Sequence, residues 1–269
     1  MKTQFLTLLF IFLCLSTNLN ASQVNDSIPD HETITIKSAL LKEIRTINIW
    51  KPAGVHRKLP VLYMLDGGLK EDFPHLANTL KKLIDRRAIP PMLLVGIENT
   101  QRRRDLTGFT SVKEDREIAP VVGGSIPFRN FIKTELFPEI SKKYNTNNQR
   151  SIIGESLAGL FIVETLFTEP ELFDAYIAFD PSLWWNDHEL VRDAKKLILK
   201  LPLTQKKFWF AGSNTNGIQA YTNALSETMK KENLKPLKWI YVSADQEQHD
   251  TIFKATKERA LVWSFGVTP

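Results

Sequence analysis

The chain has 269 residues, of which 43% are hydrophobic and 24% charged, a balance typical of a globular protein with a substantial core. This composition excludes disordered and fibrous proteins. The formal net charge of +5 comes from scattered basic residues without the basic stripe and interleaved aromatic residues of a nucleic-acid-binding surface. We therefore expect no nucleic-acid partner.

The N-terminus has the layout of a secretory signal peptide. Lys2 precedes an apolar run over residues 5–15, and small and polar residues follow it as far as Ala21. We expect cleavage after this alanine, which leaves a mature protein of residues 22–269 that is exported to the periplasm or secreted. The apolar run is too short for a comfortable membrane span, so no stable span is expected after cleavage. An uncleaved anchor and lipidation of Cys14, the only cysteine, are the alternatives.

Strands and helices alternate along the mature chain. Short apolar runs predict strands, and segments with apolar residues three or four positions apart predict helices. The predicted strands are 33–37, 45–50, 61–65, 92–97, 151–153, 175–179, 207–211 and 238–243. The predicted helices are 73–84, 125–143, 157–167, 187–199, 218–231 and 251–265. This order predicts an α/β fold, with a mainly parallel central sheet and helices on both faces, in a single domain.

A long charged stretch interrupts the alternation at residues 99–124. A connection of this length in a compact domain is usually functional or disordered. Because it lies between a strand and a helix, where α/β sheets carry their binding loops, we expect it to border the site.

A nucleophile elbow is predicted at residues 154–159. Their sequence, G-E-S-L-A-G, follows a strand, precedes a helix and matches G-x-S-x-G with alanine in the last position and glycine directly after it. Small residues let strand and helix approach closely, and the helix N-terminus directs N–H groups at a developing oxyanion. We therefore predict Ser156 as the nucleophile and the N–H of Leu157 as one oxyanion donor. Gly68 or Leu69, after strand 61–65, is expected to supply the second donor, and a serine N-cap after a glycine turn is the alternative to an elbow.

His249 is the predicted general base. It follows the last predicted strand and precedes the last helix, where the chain order of α/β-hydrolases puts the catalytic histidine. A surface histidine without a catalytic role is the alternative.

Several segments match one known family in their order along the chain. They are V-L-Y-M-L-D-G-G at 61–68, R-D-L-T at 104–107, G-G-S at 123–125, the elbow, S-L-W-W at 182–185 and His249. Together they resemble the serine esterases that include the enterobactin and other siderophore esterases, esterase D and the mycolyltransferases. The resemblance implies an α/β-hydrolase fold, Ser–His catalysis and ester substrates, with the siderophore esterases as the most similar branch.

The sequence departs from that family at three positions. Glu155 stands where the family usually has histidine, and Ala158 stands where it usually has glycine. Asp180 stands where a serine is usual.

The acid of a catalytic triad is not settled by these matches. The family normally supplies it from the loop 212–217, which contains no acid here. Asp180, directly after a strand, is the favoured acid, because some α/β-hydrolases take it from the end of an earlier strand. A Ser–His dyad oriented by a backbone carbonyl or Asn214 is the second choice, and Asp245 or Glu247 is the third.

The predicted reaction is hydrolysis of a small or siderophore-like carboxylic ester through an acyl-enzyme. Trp184 and Trp185 are predicted to line an acyl or aryl pocket, with core packing of one of them as the alternative. Arg104 is predicted to contact the substrate, with a solvated charge run over residues 102–104 as the alternative. No metal cluster, phosphate loop or dinucleotide motif is visible in the sequence, so no metal or other cofactor is expected. An acyltransferase of the same fold and a catalytically silent binding protein are the other function classes. Oligomeric state is not predicted.

Overall fold

Eight strands form one sheet in the computed structural model, which describes residues 27, 29–201, 205–232 and 237–266. The predicted signal peptide, residues 1–21, lies outside the described residues. The strands are β1 (Glu32–Ser38), β2 (Glu43–Trp50), β3 (Leu59–Met64), β4 (Leu93–Ile97), β5 (Thr146–Glu155), β6 (Ala175–Phe179), β7 (Lys206–Ser213) and β8 (Leu237–Ala244). They lie in the order β1-β2-β4-β3-β5-β6-β7-β8. Only β2 pairs antiparallel to its neighbours, and every other pair is parallel, so the predicted mainly parallel sheet is confirmed.

Helices cover both faces of this sheet. They are α1 (Phe73–Asp85), α2 (Arg102–Leu106), α3 (Lys113–Ile118), α4 (Ser125–Phe131), α5 (Phe137–Lys143), α6 (Leu157–Thr168), α7 (Trp185–Arg192), α8 (Ala194–Ile198), α9 (Gln219–Glu232) and α10 (Ile252–Phe265). Successive residues of a strand point to opposite faces. Accordingly, Val61 and Tyr63 join a core with α4–α6, α8 and α9, whereas Leu62 and Met64 join a second core with α1 and α10.

The predicted helix 125–143 contains a π-helical turn. Residues Ile132–Leu136 connect α4 to α5, and Pro138 lies in the first turn of α5. Proline has no N–H to donate to the carbonyl four residues earlier, so regular α-helical bonding is interrupted at this point.

The predicted helix 187–199 is also interrupted, because α7 and α8 are separated at Asp193 and a left-handed turn lies near the start of α7. Residues 186–188 have left-handed backbone conformations, with φ between 47° and 51°. The turn is tied to the long segment 99–124, because the N–H of Asn186 donates to Asp115 Oδ2 and the side-chain oxygen of Asn186 accepts from the N–H of Ser111. These contacts favour the turn over a continuous helix.

The segment 99–124 contains α2 and α3 and is anchored to the sheet. Asp105, which is buried, forms a 2.6 Å ion pair with Arg45 of β2, and Gly124 donates its N–H to the carbonyl of Arg104. None of the helices in the described part of the chain is both long and apolar enough to traverse a bilayer.

Candidate active site

Ser156 lies at the sharp junction between β5 and α6. Its backbone has φ 63° and ψ −121°, a conformation that costs a non-glycine residue about 1–3 kcal/mol. The turn is compact because its neighbours are small: a Cβ added at Gly154 would lie 2.6 Å from the Cβ of Ala158. The geometry is that of the predicted elbow, and the alanine in the last motif position packs directly against Gly154.

Three side chains from separate loops meet at this junction. The Oγ of Ser156 lies 3.1 Å from Nε2 of His249, and Nδ1 of the same imidazole lies 3.0 Å from Oδ2 of Asp180. The Asp180 side chain is fully buried, whereas 39% of the His249 side chain is exposed. The imidazole therefore bridges a buried carboxylate and a hydroxyl that is held at a strained turn.

Asp180 is held by the loop 212–217, which contains no acid of its own. The N–H and the hydroxyl of Ser213 donate to the two carboxylate oxygens of Asp180, each at 2.6 Å. In the same loop, Thr215 Oγ1 accepts from the N–H of His249 at 2.9 Å. The end of β7 therefore supplies hydrogen bonds to the acid and the base, while the carboxylate itself follows β6.

The other candidates for the acid have different partners. Asp245 Oδ1 accepts from the hydroxyl of Ser243 at 2.6 Å and from the amide of Gln219 at 2.9 Å. The backbone carbonyl of Glu247 accepts from the N–H of Asn214 at 3.0 Å. Of the acids weighed from the sequence, Asp180 is the one that contacts the imidazole.

Two titratable groups beside Ser156 have shifted pKa values. The hydrogen bond that His249 donates to Asp180, reinforced by the charge of this carboxylate, holds the pKa of His249 above its ordinary value despite partial burial. Burial raises the pKa of Glu155 to about 8, and the nearby carboxylates Asp72, Asp180 and Asp66 add to the shift against the opposing charge of His249. Glu155 Oε1 is buried without a hydrogen-bond partner, as expected of a carboxyl group that is neutral at pH 7.

The two predicted oxyanion regions differ in the availability of their N–H groups. Leu157 is the first residue of α6, where backbone N–H groups have no partner within the helix. The N–H of Gly68 instead donates to Oε2 of Glu71 at 2.6 Å. Leu69, the alternative second donor, is partly buried against the core that contains α1. The Glu71 carboxylate therefore accepts the hydrogen bond that Gly68 was predicted to donate to the oxyanion.

Arg104, predicted to contact the substrate, forms two ion pairs within the chain. Its guanidinium lies 2.8 Å from Glu43 and 2.6 Å from Asp105. Arg102, two residues earlier, pairs with Asp66 at 2.6 Å and donates to the backbone carbonyl of Glu155, next to the nucleophile. Arg102 is thus the arginine of this run that contacts the elbow.

The two tryptophans occupy different environments. Trp185 is buried, with 5% of its surface exposed, and Trp184 is partly buried with its ring centroid 5.8 Å away. Trp185 borders a groove of about 360 Å³ whose apolar lining includes Phe109, Leu160 and Leu190. Leu160 lies one helical turn along α6 from Ser156, and neither Ser156 nor His249 lines the groove.

Several residues around Ser156 were not predicted from the sequence. Ser182 Oγ lies 3.4 Å from Ser156 Oγ, and the Ser182 N–H donates to the Ser156 carbonyl. The position of Ser182 in the S-L-W-W match was a signal for it, but nothing local in the sequence indicated Glu71 or Ser213. Among the described residues, no cluster of three or more His, Cys, Asp or Glu side chains has an arrangement suited to a metal ion.

Comparison with known proteins identifies the family. Residues 38–264 match the esterase family described as "Putative esterase". The chain is 32% identical to ferri-bacillibactin esterase BesA of Bacillus subtilis over 151 residues, 50% of each chain. It is 29% identical to apo-salmochelin esterase of Escherichia coli over 224 residues, which are 76% of this chain and 68% of that one. It spans about half the length, or less, of the first curated relatives that it matches.

Solved structures agree with this match. An IroE-like serine hydrolase from Shewanella oneidensis superposes with a TM-score of 0.81 and 27% identity, over 88% of this chain and 80% of that chain. The BES protein from Bacillus cereus superposes with a TM-score of 0.79 and 24% identity, over 88% and 96% of the two chains. The chain belongs to the esterase family and has the α/β-hydrolase fold that the sequence predicted.

Proposed function

We propose that this protein is a serine carboxylic-ester hydrolase in which Ser156 is the nucleophile, His249 the general base and Asp180 the acid that orients it. The observation that carries the proposal is the pair of contacts on one imidazole, 3.1 Å to Ser156 Oγ and 3.0 Å to Asp180 Oδ2. A nucleophile bonded to a base that is itself oriented by a third group is the arrangement that activates a serine hydroxyl.

The reaction has two steps. Ser156 Oγ attacks the ester carbonyl while His249 Nε2 takes its proton, and the tetrahedral oxyanion accepts hydrogen bonds from the Leu157 N–H and a donor in the Gly68 loop. Collapse breaks the bond to the leaving alcohol, which receives the proton from His249, and leaves an acyl group on Ser156. A water molecule then loses a proton to His249, attacks the acyl carbonyl and releases the carboxylic acid and the serine hydroxyl.

A siderophore-type ester is the proposed substrate class. Two curated relatives are named as esterases of bacillibactin and salmochelin, which supports this choice. The groove beside Trp185 offers apolar and aromatic surface for an aryl or alkyl part of such a substrate. Hydrolysis of a panel from acetyl to aryl and siderophore esters tests the class.

The decisive experiment compares wild type with Ser156→Ala. We expect a fluorophosphonate probe to label wild type at Ser156, and the variant to lose both labelling and ester hydrolysis. A wild-type protein that is folded but neither labelled nor active on any ester would support a silent binding protein instead. Transfer of the acyl group from Ser156 to an added alcohol, in preference to water, would support an acyltransferase.

We propose that the protein is exported after removal of residues 1–21. The apolar run and the small residues before Ala21 support this cleavage site. N-terminal sequencing of protein recovered from the periplasm or medium should begin at residue 22. A Cys14→Ser variant that changes its membrane partitioning would indicate lipidation instead.

A further inference from the structure

The Gly68 N–H is already bonded to an acid of its own chain. Glu71 Oε2 lies 2.6 Å from the Gly68 nitrogen, and the Glu71 N–H donates to the Gly68 carbonyl, which closes a tight turn. A carboxylate oxygen resembles the oxyanion of a tetrahedral intermediate in charge and in hydrogen-bonding capacity. Glu71 therefore occupies the donor that the proposed reaction would need.

The loop that carries this donor lies beside the nucleophile. Arg102 bridges the two, because its guanidinium pairs with Asp66 and donates to the carbonyl of Glu155, the residue before Ser156. Glu71 belongs to the same network, since Asn99 Nδ2 donates both to Asp66 Oδ1 at 2.6 Å and to Glu71 Oε1 at 2.7 Å.

The carboxylate is not held as firmly as its two hydrogen bonds suggest. Burial raises the pKa of Glu71, and the charge of Asp66 adds to the shift, against the opposing effect of the bonds from Gly68 and Asn99. A raised pKa means that the ionised side chain is less stable in this position than in water. Glu71 is also half-buried rather than enclosed, so part of its surface already faces solvent.

We propose that Glu71 closes the oxyanion hole of the resting enzyme by occupying the Gly68 N–H, and that the ester carbonyl displaces this carboxylate when it binds for attack by Ser156. The inference rests on the proposed serine-hydrolase function. In this role Glu71 acts through the Gly68 N–H, and it lowers the rate of hydrolysis of any ester whose carbonyl displaces it weakly.

Substitution of Glu71 tests this competition. Glu71→Ala should raise kcat/KM for an uncharged ester by about tenfold or more, because a charge-assisted competitor is lost. It should tighten inhibition by a trifluoromethyl ketone, whose adduct with Ser156 carries an oxyanion, by a similar factor. Glu71→Gln keeps an oxygen acceptor without the charge and should give a smaller gain. Asp85→Ala, which removes an exposed acid at the other end of α1, is the control and should leave both values unchanged.

The Gly68 amide proton gives a readout that does not depend on turnover. In wild type its NMR resonance should lie downfield, and in Glu71→Ala it should move upfield. Addition of the ketone to Glu71→Ala should return the resonance to its downfield position. If Glu71→Ala fails to fold, a crystal structure of the wild-type ketone adduct tests the proposal instead. In that structure the hydrogen bond between Gly68 and Glu71 should be broken. A folded Glu71→Ala with unchanged or lower kcat/KM, or an adduct in which Glu71 still bonds to Gly68, would overturn the inference. A wild-type protein without esterase activity or fluorophosphonate labelling would instead refute the proposed function.

Discussion

At the scale of single residues, His249 depends on Asp180 for its orientation and its protonation. The proposed mechanism requires a neutral His249, and the hydrogen bond to Asp180 stabilises the protonated imidazole, so the pKa of His249 lies above its ordinary value. Wild-type kcat/KM should therefore rise with pH as His249 loses its proton across this raised pKa.

Asp180→Asn should change both the height and the position of that pH profile. We expect kcat to fall roughly a thousandfold to ten-thousandfold, because the amide no longer favours the productive tautomer or stabilises the imidazolium. The acidic limb should move to lower pH, since the main cause of the raised His249 pKa is removed. Asp245→Asn is the control. If its pH profile equalled that of Asp180→Asn, the assignment of the acid to Asp180 would be wrong.

Glu155 makes stability depend on pH in the opposite sense to an ordinary carboxylate. Its pKa is raised to about 8 in the folded protein from 4.5, so the unfolded state loses its proton first and stability falls as pH rises between these values. Glu155→Gln should therefore raise Tm increasingly from pH 5 to pH 8 and by a constant amount above that. Thermal melts across this range measure the effect, with Glu117→Gln as the exposed control. Equal melting curves for wild type and Glu155→Gln at pH 8.5 would contradict it.

At the scale of elements, α6 packs tightly against the end of β6. A Cβ at Gly159 would lie 2.9 Å from the Cα of Pro181 and 3.0 Å from the carbonyl of Phe179. These two residues flank Asp180, so the glycine in α6 fixes the distance between the strand that carries the acid and the helix that follows the nucleophile.

Gly159→Ala should therefore affect catalysis as well as stability. We expect a loss of about 1–3 kcal/mol from overpacking, and a fall in kcat of about tenfold or more as the Asp180 backbone shifts. Gly108→Ala is the control for stability, because its added Cβ would make only ordinary contacts of 3.5 Å and longer. Denaturant unfolding and steady-state kinetics measure the two effects, and normal kcat in a destabilised Gly159→Ala would argue against this coupling.

At the scale of the whole molecule, a buried ion pair ties the long segment 99–124 to the sheet. Arg45 is 1% exposed, pairs with Asp105 at 2.6 Å and with Glu43 at 2.9 Å, and lies over the ring of Phe128. This contact joins β2 to the segment that carries Arg102 and the residues bordering the groove.

Arg45→Met should destabilise the protein strongly. The substitution leaves Asp105 buried with Arg104 as its remaining partner, and we expect a loss of about 3 kcal/mol. Arg86→Met removes an exposed pair with Glu258 and should cost about 1 kcal/mol or less. Urea unfolding compares the two variants, and equal losses would show that the buried pair has no special role.

The elements and the nucleophile elbow were predictable because their signals are local. Strand and helix periods depend on residues a few positions apart, and the elbow needs a strand, small residues and a helix in immediate succession. The divided helices were not predictable, because Pro138 allows either a helix start or a π turn, and the left-handed turn at 186–188 is held by contacts from the segment 99–124.

The sequence by itself determined the α/β alternation, the position of Ser156 and the chain order that selects His249. Only the tertiary structure decided that Asp180 is the acid in contact with the imidazole, that Ser213 holds it, and that Glu71 occupies Gly68. The physical reason is strand order: β6 and β7 lie side by side in the sheet, so their carboxyl ends bring together loops distant in the chain. Contacts between such loops depend on where each strand ends in space, which no local pattern of residues specifies.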